Sequence, residues 1–148
     1  MPTLVGRWGM VEYAQEDVLS FPRGIIGFPE AKQYILTALP GTMFSALQAV
    51  DRPGLAFILV EAAVFGEGYG VKGSDGRDGS AIYCIVTIPD DPAQMTANLR
   101  APVIIDRQRR HGEQIILDEP YPVRFPLVFP QAGPQAPASK LVAKARTG

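Results

Sequence analysis

Glycine and proline set the limits on what this chain can fold into. Its 15 glycines and 14 prolines are spread over all 148 residues, together about a fifth of the whole. Proline removes a backbone donor and blocks helix interiors, while glycine weakens helices through the entropy of the chain. Few windows are left for a helix of average length, about 11–12 residues. Many short strands joined by turns is the arrangement this spacing permits, which makes the chain all-β.

Length and charge narrow the choice further. A chain of 148 residues is one domain's worth and can enclose a hydrophobic core. A formal charge of −1 gives no global reason to expect nucleic acid or an anionic membrane as partner. No window approaches the roughly 18–20 consecutive apolar residues of a membrane span. The start, MPTLVGRWGM, has no apolar run behind a basic end, so a secretory signal is not expected. The single cysteine, Cys84, cannot form an internal disulfide and suits a reducing compartment. The expectation is a cytoplasmic protein.

Taken in order, Leu4–Tyr13 reads as one or two short strands bent at Gly6 and Gly9, with Trp8 packing in the core or covering an edge. FPRGIIGF, 21–28, sets Ile25 and Ile26 on a tightly turning backbone between two Phe-Pro pairs. Glu30–Gln33 is expected to make one helical turn with Pro29 at its first position. Asp51-Arg52-Pro53-Gly54 is a turn between Phe44–Val50 and the continuous apolar run Leu55–Val60, and together they predict a hairpin. Ile82–Ile88 (IYCIVTI) is the strongest strand, with Cys84 a small core residue at its centre. Asp91 caps a short helical turn begun by Pro92. Val103–Ile105 and Gln114–Leu117 predict a hairpin whose loop carries Arg107, Arg109, Arg110 and His111, with Gly112 available for positive φ. Tyr121–Phe129 is an extended, proline-interrupted edge segment. The domain ends near residue 129, and residues 130–148 form a Pro/Ala-rich basic tail expected to be disordered.

Searching the chain for chemistry eliminates more than it finds. The glycines of 24–27 are not followed by Lys-Ser or Lys-Thr and a long helix, so they do not form a phosphate cradle. Asp75 and Asp78 lie in the glycine-rich stretch 64–80 without the regular oxygen ligands and closing Glu of a calcium loop. Asp90 and Asp91 are neighbours and point apart, unlike catalytic carboxylate pairs, which come from separate elements. His111 has no second metal ligand and no serine to activate nearby. The basic loop 107–111 and the tail leave a nucleic-acid-binding small β-barrel as the alternative reading, although no aromatics interleave there for base stacking.

What stands out instead is a corner, VTIPDDPAQMTANLRAPVIID, 86–106. Two apolar runs flank a proline-bracketed acidic turn and the polar knot Thr96-Ala97-Asn98. Together with FPRGIIGF, FSALQ at 44–48, LAFILV at 55–60 and EQIIL at 113–117, it resembles the FliW family of flagellar assembly factors from about Leu4 to Leu127. The resemblance implies a compact antiparallel β-barrel-like domain; one or two short helical turns and a monomeric state are expected with it. It further implies no enzymatic activity, no cofactor and no metal. The implied partners are proteins: flagellin before its export, and the RNA-binding translational regulator CsrA, whose repression of flagellin synthesis the family relieves. The residues expected to meet a partner are Thr96, Asn98, Arg100, Gln48 and Asp90 as polar contacts, with Ile26, Phe28 and Met95 supplying apolar area. Asn98 admits a second reading, in which it satisfies the backbone of its own turn. The glycine-rich 64–80 and the basic tail depart from the family pattern, and the acidity expected after LAFILV is largely missing.

Overall fold

A computed structural model describes residues 3–6, 9–66, 68–69 and 80–127. Trp8, most of the glycine-rich stretch with Asp75 and Asp78, and the tail lie outside the described residues, as do the last two positions of the edge segment. The hairpin of β1 (Thr3–Gly6) and β2 (Gly9–Glu12) stands by itself. The other strands form one sheet: β3 (Leu19–Ser20), β4 (Gln33–Ala38), β5 (Phe44–Ala49), β6 (Ala56–Glu61), β7 (Ser80–Thr87), β8 (Thr96–Ala97), β9 (Val103–Asp106), β10 (His111–Gln114) and β11 (Phe125–Pro126).

β3 to β7 run as an antiparallel meander, β3-β4-β5-β6-β7. β7 then pairs with β9, β9 with β10, and β10 returns to β3 through a parallel contact, His111 opposite Ser20. Seven strands therefore close into a barrel, and closure removes the sheet edges that would otherwise invite aggregation. β7 is long enough to serve two neighbours along one side. Its first half, Ser80–Tyr83, pairs with β9, and Val86–Thr87 pairs with β8, which carries β11 beyond it.

Alternation along the strands divides the apolar residues into two cores. Leu19, Tyr34, Leu47, Ala49, Leu59, Tyr83, Val103 and Ile105 come from β3, β4, β5, β6, β7 and β9 and fill the barrel. Phe44, Ile58, Val60, Cys84 and Val86 point from β5, β6 and β7 the other way, onto Met95, Leu99, Leu117 and Leu127. These strands are covered on both faces, which is why LAFILV and IYCIVTI are continuous apolar runs rather than alternating ones.

The hairpin around Asp51–Gly54 forms as the turn chemistry requires. Asp91 caps the 3-10 turn Pro92–Gln94 by accepting from the Ala93 amide at 3.0 Å. Two local expectations are corrected. The helical turn at Glu30–Gln33 does not form; Lys32 accepts from the Phe21 amide at 2.8 Å and β4 begins at Gln33, so pairing with β3 claims the residues a helix would need. The arginine hairpin is also tighter than expected. β10 starts at His111, leaving only 107–110 as the turn, and the positive φ of 54° falls on Arg110 instead of Gly112. Gly112 serves a different purpose: a Cβ there would lie 2.2 Å from Cζ of the fully buried Phe21 ring.

Candidate functional site

The corner sits where β7 changes partner. After β8 the Asn98 amide donates to the Ile85 carbonyl at 2.9 Å, and the chain then bulges outward to re-pair as β9. Asn98 Oδ1 accepts from the backbone amides of Arg100 (2.9 Å) and Ala101 (3.1 Å), so its side chain closes the bulge from within. Arg100 Nε donates to the Leu117 carbonyl at 3.0 Å, while the Leu117 amide donates back to the Arg100 carbonyl at 2.8 Å. Thr96 is half-buried in β8, opposite Thr87 and Pro126. Asp90 is exposed in the turn before the cap.

The remaining expected contacts disperse. Met95 is 1% exposed and belongs to the second core, so it offers no apolar surface to a partner. Gln48, 4% exposed, donates from Nε2 to the carbonyls of Ala49 and Pro53 at 2.9 Å and of Leu55 at 3.1 Å. Its amide ties down the 51–55 turn, and Gly6 packs against it where a Cβ would come within 2.5 Å of Oε1. Phe28 is half-buried, edge-on to Phe57 at 5.7 Å, with the Arg52 guanidinium 5.5 Å from its ring centre and Glu30 paired to that arginine.

Ile26 is the exception. It lies at the tip of a turn in which the Phe28 amide donates to the Ile25 carbonyl at 2.7 Å, with Gly27 at φ 94°. Gly24 has φ 67°, and a Cβ there would meet the Phe28 carbonyl oxygen at 2.5 Å. Two backbone positions thus demand glycine-like freedom, and the turn holds Ile26 outward, 56% exposed. Gln114, which the sequence did not single out, joins this turn to the corner. Its Oε1 accepts from the Ile26 amide at 2.8 Å, and its Nε2 donates to the Ala101 carbonyl at 2.9 Å. Between turn and strand lies a groove of about 390 Å³ lined by Arg23–Gly27, Pro29 and Gln114–Ile116. Ile116 is 66% exposed on its rim. The available signal was the run Ile115-Ile116-Leu117: three apolar residues in an extended segment must put one on each face, so one is exposed unless something covers it.

The basic turn is partly neutralised. Asp106 accepts from the Arg109 amide at 3.1 Å and from its guanidinium at 2.9 Å. Those contacts, the backbone donor foremost, hold the Asp106 carboxyl below the usual carboxylate range. Among the described residues no three His, Cys, Asp or Glu side chains gather as a metal site, and no helix is long and apolar enough to cross a membrane. Cys84 is fully buried beside Tyr69, its Sγ 3.5 Å from the phenol oxygen, and burial pushes the thiol up to about 11. It is built as core, not as a nucleophile.

The sequence profile of the FliW protein family matches residues 5–127. A flagellar assembly factor FliW of Bdellovibrio bacteriovorus is 37% identical over 123 residues, covering 76% of this chain and 70% of the relative. One from Geobacillus kaustophilus is 36% identical over 118 residues, covering 74% and 82% respectively. A crystal structure of the flagellar assembly factor FliW superposes with a TM-score of 0.77 at 32% identity, covering 86% of this chain and 98% of that one.

Proposed function

This chain belongs to the FliW family of flagellar assembly factors, and on that premise we propose that it is a non-enzymatic protein-binding regulator that holds flagellin before export. The same protein binds a CsrA-type RNA-binding translational regulator and relieves its repression of flagellin synthesis. Export of flagellin then frees the factor to sequester the regulator, coupling synthesis to assembly. The observation that carries this reading is the extent of the family match, which runs through the turn, the corner and the groove together. The site chemistry is consistent with it. The Arg100 side chain is fixed on the Leu117 carbonyl, next in the chain to the exposed Ile116, a pairing of polar specificity and apolar area that protein interfaces use.

Calorimetric titration of the purified chain with flagellin, and separately with the CsrA-type regulator, tests the proposal. Saturable heat is expected with each; a Kd of 1 μM corresponds to about −8.2 kcal/mol and is readily resolved. Absence of heat with both partners, at concentrations on the order of tens of micromolar, removes the proposal.

A further inference from the structure

The strand that lines the groove has an open side. The Ile115 amide donates to the Pro102 carbonyl at 3.0 Å and the Leu117 amide to the Arg100 carbonyl at 2.8 Å, continuing the β9–β10 ladder past Gln114. Peptide groups along a strand alternate sides, so those of Gln114 and Ile116 face away from the corner. That side belongs to β3 at its start, where the Ser20 amide donates to the Arg110 carbonyl at 2.9 Å. But β3 stops at Ser20, and Pro22 turns the chain away. Among the described residues, no backbone group pairs with the amides and carbonyls of Gln114 and Ile116. What faces them is the groove, with exposed Ile26 and Ile116 on either side. Arg23 lines it too, and no carboxylate pairs with Arg23 among the described residues.

We propose that this edge accepts an extended peptide segment of another protein as an added strand, taking the place along β10 that β3 vacates. Two donors and two acceptors of Gln114 and Ile116 would bond its backbone. One aliphatic side chain of the segment would fit between Ile26 and Ile116, and a neighbouring Asp or Glu side chain would meet Arg23. Backbone pairing supplies affinity and the alternate side chains supply selection, as in other strand-addition sites. The inference depends on the open edge and not on flagellin being the partner.

The test uses the full chain, isotopically labelled for NMR, titrated with the blocked peptide acetyl-Glu-Val-Thr-Ile-Thr-Val-amide. Two analogues carry N-methyl groups on alternate amides, one on each of the two alternating sets. Only one set can face the edge, so one analogue should lose at least about tenfold in affinity and the other should keep it. Amide shifts should centre on Gln114 and Ile116, and Arg23→Glu, with an unchanged melting curve, should weaken binding about fivefold. Equal binding by both analogues overturns the proposal, as do shifts centred elsewhere or no shifts at millimolar peptide. So does sedimentation showing self-association that Ile116→Lys abolishes, since a second copy would then own the edge. Failure here with intact flagellin binding leaves the proposed function standing; the reverse outcome leaves the edge standing.

Discussion

The corner at 98–102 and the edge at 114–116 are hydrogen-bonded to each other, yet they use their groups in opposite ways. At the corner the Asn98 side chain turns inward onto the backbone, and Arg100 bonds the neighbouring strand. At the edge Ile116, with Ile26 across the groove, is apolar and exposed, and the backbone groups of Gln114 and Ile116 on one side pair with no backbone group among the described residues. Polar residues that look like contacts in a sequence are here largely the means of shaping a bulge. The groups free to meet another chain are Ile26, which the sequence singled out, and Ile116 and main-chain amides, which it did not.

Substitutions can break this contrast. The largest effect should come from Gly112→Ala, which forces a methyl into the Phe21 ring beneath β10. Overpacking of a closed core costs ~1–3 kcal/mol and occasionally more, and this site should lie at or above the top of that range. Thermal melts check it, and a variant as stable as the wild type would mean that β10 can lift off freely. Asn98→Ala comes next. It leaves two half-buried amides without their acceptor, at about 1–2 kcal/mol, lowering Tm by several degrees. By contrast, Ile116→Lys should change stability by less than about 0.5 kcal/mol because the side chain is largely in water already. The smallest effect should be Asp106→Asn. The folded Asp106 carboxyl titrates below its ordinary value of 3.8, so its contribution is present above that pH and is lost as pH falls through the lower folded value. Melts should therefore show a small deficit of the variant near neutral pH that vanishes in acid; a deficit that persists in acid would assign the effect to something other than the charge.

The sequence made the scaffold legible wherever local chemistry decided the outcome. LAFILV and IYCIVTI read as buried strands, and Asp91-Pro92 as a cap and first turn, and each forms as read. Barrel closure left no such trace. It depends on one parallel contact between Ser20 and His111, far apart in the chain, and no periodicity records a pairing of that kind. Gln48 misled for a similar reason: a polar residue in a largely apolar strand reads as outward-facing, but three carbonyls at and beside the following turn needed a buried donor. Gly112 reads as available for positive φ, whereas what requires glycine there is the close approach of an aromatic ring. Gln114 was invisible because its two bonds reach segments distant from it in sequence.

The division between supporting corner and contacting edge is tested most directly by titrating the blocked peptide acetyl-Glu-Val-Thr-Ile-Thr-Val-amide into the wild-type chain, Asn98→Ala and Ile116→Lys, with Tm measured on the same samples. The account predicts that Ile116→Lys keeps its Tm and loses at least about tenfold in affinity, whereas Asn98→Ala loses Tm and, well below its melting point, binds within about threefold of wild type. The opposite pattern, with Asn98→Ala abolishing binding at unchanged Tm while Ile116→Lys binds normally, would contradict it.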